Sequence, residues 1–203
     1  MINNLKILKP LINIPEGYYL SLFIWQRKKD QELPDKHQSV RTIKYYNIQS
    51  VEYLESKMEE IIHLCEHFKA RAYLNLNPVS YREISFNVMK ALAENLKSGN
   101  YLNTRLFESQ SDLSIKQGKI WVVDVDDNNI GKVLGIQSII NECRPIGEDK
   151  ILGVVPTKQG CHILTKRFDV QQFKTSNPFI EEEDIEIKKC NPTVLVIPDS
   201  ILK

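Results

Sequence analysis

The sequence predicts an α+β protein in which an N-terminal α/β subdomain precedes a second subdomain with the element order β-α-β-β-α-β-β. Short segments rich in β-branched and aromatic residues show the alternation of strands, whereas longer segments repeat apolar residues every three or four positions, as helices do. With 203 residues, of which 42% are hydrophobic and 26% charged, the chain has the composition of a globular protein. We therefore expect one compact unit that contains both subdomains.

The charge balance argues against two classes of protein. The chain has 27 Lys and Arg residues against 26 Asp and Glu residues, so its net charge is +1. Strongly basic nucleic-acid coats and highly charged disordered proteins both differ from this balance. A local basic face that is offset by acidic residues elsewhere is still compatible with nucleic-acid binding.

The N-terminal segment and the cysteines predict a protein of the reducing cytoplasm with no membrane partner. Apolar residues occur in residues 1–25, but Lys6, Pro10 and Pro15 interrupt them, and no run approaches the roughly 20 residues that cross a bilayer. The four cysteines are far apart and form no CxxC pair. We expect them to be small hydrophobic residues rather than zinc ligands or disulfide partners.

Two helices and an intervening strand are predicted in the first subdomain. Ser50 is placed to cap the first helix. The apolar stripe of this helix consists of Val51, Leu54, Met58, Ile61, Cys65 and Phe68. Residues 71–79 alternate as a strand does, and Ser80 and Glu83 then form the capping box of a helix that ends near Lys97.

A β-hairpin precedes these helices and carries a cluster of basic residues. Residues 18–29 and 40–48 are its two predicted strands. The basic residues are Arg27, Lys28, Lys29, Arg41 and Lys44. Three aromatic residues lie among them, namely Trp25, Tyr45 and Tyr46. Such a surface favours phosphate contacts and base stacking with a single strand of nucleic acid, although an ordinary solvated hairpin is the alternative.

The subdomain boundaries follow from a stretch without periodicity. Residues 99–118 match neither a helix nor a strand and are interpreted as a linker loop between residues 1–98 and residues 119–203. The predicted elements of the second subdomain are a strand at 119–127, a helix at 130–143, strands at 151–157 and 161–168, a helix at 170–174, and strands at 184–189 and 193–198. Helices that cover one face of such a sheet make this an RRM-like unit.

Two carboxylates meet at the end of the first strand of the second subdomain. Side chains alternate along a strand, so Asp124 and Asp126 in VVDVDD share one face. Like charges repel unless a cation lies between them, and Mg²⁺ or Mn²⁺ suits oxygen ligands. We therefore predict that both residues bind metal. The alternative is a strand that runs into a helix-capping turn, although Asp127, Asn128 and Asn129 suffice for the cap.

The segment PTKQGCHILT combines a glycine, a lysine and a histidine at a predicted turn. Gly160 permits a tight turn or a close backbone approach, Lys158 is a cation, and His162 begins the returning strand. A histidine beside a lysine and exposed backbone amides suits the binding of a phosphate. The alternative is a plain hairpin with a half-buried histidine that hydrogen bonds its neighbours.

A third acid lies inside the apolar strand IEIKK. Glu186 is flanked by two isoleucines and is predicted to join Asp124 and Asp126 as a metal-binding carboxylate. An outward-facing acid that pairs with Lys188 or Lys189 is the alternative interpretation.

Taken in order, these segments resemble the motifs of the archaeo-eukaryotic primase superfamily, the family of primase-polymerases. VVDVDD is similar to the first motif, TKQGCH to the second, and IEIKK with TVLVIPDS to the third, so the resemblance covers residues 119–200. It implies that Asp124, Asp126 and Glu186 are catalytic metal ligands. It also implies that His162 binds the phosphates of a nucleotide, with Lys158 and Gly160 beside it.

The resemblance implies a divalent-metal-dependent nucleotidyltransferase of a phage or mobile element. Its substrates would be nucleoside triphosphates and single-stranded or primed nucleic acid, and a replication protein would be a further partner. The sequence departs from the family pattern at Glu186, where Asp is usual, at Gly160, the remnant of a glycine-rich stretch, and in having no zinc-binding insertion.

Two other functions use the same residues. One is a non-catalytic protein that binds nucleic acid or a replication partner and has a degenerate site. The other is a metal-dependent nuclease, because paired carboxylates serve phosphodiester cleavage equally well.

Overall fold

Two antiparallel β-sheets and the helices packed on them form the structure, a computed structural model that describes residues 1–31, 40–101, 106–114, 120–178 and 185–202. This architecture confirms the predicted α+β class.

The first half of the chain alternates short and long elements. In chain order they are β1 (Ile2–Asn3), α1 (Leu5–Leu8), a 3₁₀ turn (Lys9–Leu11), β2 (Tyr18–Arg27), a second 3₁₀ turn (Lys28–Asp30), β3 (Val40–Ile48), α2 (Val51–His67), β4 (Arg71–Leu74), β5 (Val79–Ser80), α3 (Tyr81–Lys97) and α4 (Leu106–Ser114).

The second half follows the order predicted for it. Its elements are β6 (Trp121–Val125), α5 (Ile130–Glu142), β7 (Ile151–Pro156), β8 (Cys161–Thr165), α6 (Val170–Ser176), β9 (Ile185–Lys188), β10 (Thr193–Ile197) and α7 (Asp199–Leu202). None of the helices in the described part of the chain has the length and apolarity that crossing a membrane requires.

Side-chain caps determine where three of the long helices begin. Ser50 accepts a hydrogen bond from the Tyr53 amide at the start of α2, and Ser80 accepts one from the Glu83 amide at the start of α3. Asn129 does the same for two amides in the first turn of α5. Each cap satisfies amide groups that have no partner within the helix, and the first two confirm the predicted starts.

The first sheet joins strands from distant parts of the chain. Its order is β1-β10-β4-β2-β3, with β5 paired to β2, and every pairing is antiparallel. Leu54, Ile61 and Cys65 of α2 lie in one hydrophobic core with Leu22 of β2 and Leu74 of β4. The apolar stripe predicted from the sequence is therefore the surface that attaches α2 to this sheet.

The second sheet has the order β7-β8-β6-β9, also antiparallel throughout. One of its faces is apolar and packs against α5 and α6. The buried residues there include Val123, Val125, Ile163, Ile136, Ile140 and Phe173. Because side chains alternate along a strand, Asp124 lies on the opposite face of β6.

The last predicted strand belongs to the first sheet. β10 pairs with β4 through Val194 and Tyr73, and with β1 through Ile197 and Ile2. The expectation that residues 193–198 complete the sheet of the second subdomain is therefore wrong. All five residues of β10 are buried, as expected for a strand that has a neighbour on each side and is covered on both faces.

A helix occupies the middle of the segment that was predicted to be a linker. α4 packs against α3, and the Ser111 hydroxyl lies 2.9 Å from the Tyr19 hydroxyl and 3.0 Å from the Ser21 hydroxyl of β2. This buried contact is polar, so no apolar period marks the helix in the sequence. The remainder of the predicted linker includes residues 102–105 and 115–119, which lie outside the described part of the chain.

Candidate functional site

A cleft of about 340 Å³ lies between the two sheets. The second sheet contributes one wall, which contains Asp124, Asp126, His162, Glu186 and Lys188. The first sheet contributes the other, which contains Trp25, Arg27, Arg71, Tyr73 and Val194. Acidic groups on one wall therefore face arginine and aromatic groups on the other.

Three of the predicted site residues form a row across adjacent strands. Asp124 of β6 is directly opposite His162 of β8 and directly opposite Glu186 of β9. Cross-strand partners in an antiparallel pair lie on the same face, about 5 Å apart at their Cβ atoms. The fold therefore brings together three residues that are up to 62 positions apart in the sequence.

Asp124 is the centre of this row and has a cation or a donor at each oxygen. Its Oδ1 lies 3.3 Å from His162 Nε2, and its Oδ2 accepts a hydrogen bond of 2.6 Å from Lys188 Nζ. Burial acts to raise the pKa of Asp124, but the hydrogen bonds and charges of His162 and Lys188 outweigh it and hold the pKa well below its usual range. The carboxylate is therefore ionised at neutral pH.

His162 links the two sheets through its ring. The side chain is buried, and its Nδ1 lies 2.9 Å from the Thr193 hydroxyl of β10 while its Nε2 faces Asp124. An apolar run contains this histidine because the imidazole has a polar partner on each side. In this arrangement the ring orients Asp124, and its predicted contact with a phosphate stays a prediction.

Glu186 shares a partner with Asp124. Lys188 Nζ lies 3.0 Å from Glu186 Oε2, and the Glu186 side chain is 71% exposed. Burial acts to lower the pKa of Lys188, but Asp124 and Glu186 outweigh it and raise the pKa above its usual value. Glu186 thus lines the cleft and pairs with Lys188, as the alternative interpretation held, and its binding to a metal stays a prediction.

Asp126 is the exposed acid of the site. It follows the last residue of β6, lines the cleft, and has no side-chain hydrogen bond or ion pair within the described residues. The helix-capping alternative does not use it, because Asp127 accepts from the Asn129 amide and Asn129 caps α5. Asp126 is therefore available to an incoming ligand.

The hairpin between β7 and β8 lies against the end of β6. A Cβ atom on Gly160 would be 1.9 Å from the Val125 carbonyl oxygen and 2.6 Å from the Asp127 amide nitrogen. Only glycine permits this approach. Lys158 of the same turn lines the cleft and donates a hydrogen bond to the Ile201 carbonyl oxygen of α7. Both residues are thus beside the acids, with Gly160 acting through its backbone.

No protein-family model, no curated protein and no solved structure matches this chain. Its chemistry therefore has to be inferred from the residues of the cleft.

The wall from the first sheet presents aromatic and basic groups. Trp25 and Tyr73 have ring centroids 5.3 Å apart, and Arg71 is opposite Trp25 in the pairing of β2 with β4. The Arg71 guanidinium is buried in an ion pair of 2.7 Å with Asp30. Arg27, at the end of β2, is exposed and lies in the cleft. Rings and guanidinium groups of this kind suit bases and phosphates.

The basic residues predicted to bind nucleic acid are distributed over several surfaces. Arg27 lines the cleft. Lys28, the next residue in the sequence, and Arg41, on the other strand of the hairpin, are both exposed. Lys44 instead pairs with Glu60 of α2 and is not part of the cleft. The side chain of Lys29 lies outside the described part of the structure. Arg27 is therefore the member of this set that faces the acids.

Asp124 and Asp126 are the residues of the cleft that could hold a divalent cation. Within the described residues, no group of three or more His, Cys, Asp or Glu side chains is arranged to hold a metal ion. The ammonium of Lys188 lies between Asp124 and Glu186. Asp124 and Asp126 remain as oxygen donors in the cleft, which suits a cation that takes its other ligands from water and from a substrate phosphate.

Some residues of the site are not identified by the sequence. From the sequence, Lys188 is only an alternative partner of Glu186. A spacing of two residues on a strand nevertheless already places Glu186 and Lys188 on one face. Thr193, Arg71 and Tyr73 carry no local signal, because strands distant in the sequence bring them to the cleft.

Proposed function

We propose that this protein is a divalent-metal-dependent nucleotidyltransferase of the primase-polymerase type, similar to the archaeo-eukaryotic primase superfamily, that acts on nucleic acid with nucleoside triphosphates. The observation that carries the proposal is the alignment of Glu186, Asp124 and His162 on three neighbouring strands. Asp126 and Lys158 line the same cleft. These are the residues that the resemblance assigns to metal and nucleotide.

We infer an RRM-like arrangement for the second sheet, and this inference supports the proposal. The strands β6, β7, β8 and β9 occur with α5 after β6 and α6 after β8, and their order in the sheet is β7-β8-β6-β9. Both helices pack on the face opposite the acids. The two central strands, β6 and β8, then carry Asp124 and His162.

Each residue has a distinct role in the proposed reaction. A bound Mg²⁺ or Mn²⁺ supplies Lewis-acid activation and charge neutralisation for phosphoryl chemistry. Asp124 and Asp126 would hold it, and His162 keeps Asp124 in position through the contact of 3.3 Å. Lys158 and Arg27 are the cations placed to receive the triphosphate and a nucleic-acid phosphate.

The test is a calorimetric titration of a nucleoside triphosphate with Mn²⁺ into the wild type, into His162→Ala, and into the double variant Asp124→Ala with Asp126→Ala. We expect metal-dependent binding to the wild type that both variants lose. Lys44→Gln is the control, because it removes a charge from the first sheet outside the cleft. Unchanged binding in the double variant would refute the proposal.

A second candidate is a non-catalytic protein that binds single-stranded nucleic acid or a replication partner. The contacts of Lys188 with Asp124 and Glu186 favour it, because they give two of the three acids a cationic partner without a metal. Binding of a fluorescent single-stranded oligonucleotide separates the candidates. The second predicts binding that survives loss of Asp124 and Asp126 but falls when Arg27 and Lys28 are replaced by glutamine.

A further inference from the structure

We propose that Lys188 is a built-in cation that replaces one of the two metal ions of a two-metal site, so that the cleft binds a single divalent cation. This inference rests on the proposed function, because it concerns the metal that the nucleotidyltransferase would use. The number of cations bound per chain is measured without any assay of activity.

The position of the ammonium supports the inference. Lys188 Nζ is 2.6 Å from Asp124 Oδ2 and 3.0 Å from Glu186 Oε2. Asp124 and Glu186 are directly opposite each other on β6 and β9, so their charges would repel without a cation between them. A divalent ion shared by two carboxylates would occupy the same place.

The backbone holds Lys188 on the correct face of the sheet. Lys188 is two residues after Glu186 in β9 and pairs across the sheet with Val122, which is two residues before Asp124. All four side chains therefore lie on one face of the sheet, and those of Asp124, Glu186 and Lys188 line the cleft. With 23% of its side chain exposed, Lys188 is largely enclosed by the wall that it belongs to.

The next residue provides a natural comparison. Lys189 has the same charge and lies on the other face of the sheet, where its Nζ is 5.2 Å from the centre of the Trp121 ring. Among the described residues, it forms no ion pair with the acids of the cleft. The two neighbouring lysines thus differ in their position relative to the acids and not in their chemistry.

The carboxylate oxygens that remain available for a cation then define which ligand the site accepts. Asp126 and the remaining lone pairs of Asp124 would hold one cation, and substrate phosphates would complete its coordination. The ligand class is therefore a nucleoside triphosphate that binds together with its own divalent ion. Lys188 supplies a positive charge from the protein in place of a second cation.

The experiment measures the number of Mn²⁺ ions bound per chain, by electron paramagnetic resonance of free Mn²⁺ and by calorimetry. It uses the full-length wild type and the variants Lys188→Met, Lys188→Arg and Lys189→Met, each checked for folding by thermal unfolding. Lys188→Met keeps the length of the side chain and removes its charge, whereas Lys188→Arg keeps the charge. Lys189→Met is the matched control.

We expect one Mn²⁺ in the wild type, in Lys188→Arg and in Lys189→Met, and a second Mn²⁺ in Lys188→Met. Two ions in the wild type, or one ion in both the wild type and Lys188→Met, would overturn the inference and leave the proposed function standing. A second ion in Lys188→Arg would also overturn it, because the charge is then not what excludes the metal. No Mn²⁺ in any of these proteins would overturn the inference and the metal-dependent function together.

Discussion

The two walls of the cleft have the same architectural origin and opposite chemistry. Each is the face of an antiparallel sheet, but the second sheet presents Asp124, Asp126 and Glu186, whereas the first presents Arg27 and Trp25. Carboxylates attract cations, and rings with guanidinium groups attract bases and phosphates. The proposed ligand, a nucleotide with its metal ion, would complement both walls, which neither a metal nor an organic anion would do alone.

The walls also differ in how their charges are balanced. On the first sheet, Arg71 is buried in a single pair with Asp30. On the second, Asp124 has two basic partners and Asp126 has none within the described residues. The proposed binding of one cation depends on this difference, because one acid is held by the protein and its neighbour is open.

The largest expected effect is on the hairpin that closes the second wall. In Gly160→Ala the new Cβ would be 1.9 Å from the Val125 carbonyl oxygen, so the hairpin has to move away from β6. We expect the free energy of unfolding to fall by about 3 kcal/mol or more, a cost that is typical of severe overpacking. Urea unfolding checks this. The control is Gly153→Ala, whose Cβ would meet no atom closer than 3.8 Å and which we expect to be tolerated.

Replacing either of the two aspartates by alanine is expected to have different effects on the stability of the protein and on its binding of Mn²⁺. Asp124→Ala leaves His162 and Lys188 without their shared partner and is expected to cost about 1–3 kcal/mol of stability. Asp126→Ala is expected to stay within about 0.5 kcal/mol of the wild type, because its side chain is exposed. It should nevertheless weaken Mn²⁺ binding by at least about tenfold, since even an outer-shell partner contributes that much. Equal effects of the two substitutions on stability would contradict this division.

Removing a charge from the first wall should have a smaller effect than the substitutions above, and it should change the affinity for nucleic acid only. Arg27→Gln is expected to weaken binding of a single-stranded oligonucleotide by about fivefold, which corresponds to roughly 1 kcal/mol, the value of a modest hydrogen bond. Mn²⁺ affinity should not change. Lys44→Gln removes the same charge outside the cleft and should leave both affinities at the wild-type level. Fluorescence anisotropy and calorimetry provide the two readings.

Acidification tests the balance of charge on the second wall. The pKa of Asp124 is lower in the folded protein than in the unfolded chain, so its stabilisation is present above the unfolded value of about 4. That stabilisation is lost as the pH falls toward the folded pKa. We expect the urea midpoint to decrease below about pH 4, and to decrease less steeply in Asp124→Asn. Parallel curves for the two proteins would show that Asp124 does not contribute.

Most of the helices and strands, and several residues of the site, are predicted from the sequence because their signals lie in neighbouring residues. A stripe of apolar residues behind Ser50 is sufficient to define α2, and the spacing of Asp124 and Asp126 is sufficient to place them on one face of β6. His162 and Glu186 are likewise placed within strands by their apolar neighbours, but their alignment with Asp124 in one row depends on the register of the strand pairings.

What the sequence does not predict depends on contacts between distant segments. α4 is attached through the Ser111 hydroxyl together with the Phe107 ring and not through a continuous apolar stripe, so its periodicity is weak. Which sheet β10 joins is decided by packing, since its apolar residues would suit either sheet. The wall with Trp25 and Arg71 exists only because the two sheets face each other across the cleft.

The position of β10 also determines when the protein is able to fold during its synthesis. β4 reaches its final partner only after residues 193–197 have been translated, because β10 lies between β4 and β1 in the first sheet. Until then a nascent chain exposes the edge of β4, and exposed edges pair readily with other chains. The last strands of the two walls, β9 and β10, are close together in the sequence and are therefore synthesised almost together. His162 acquires its Thr193 partner only after that.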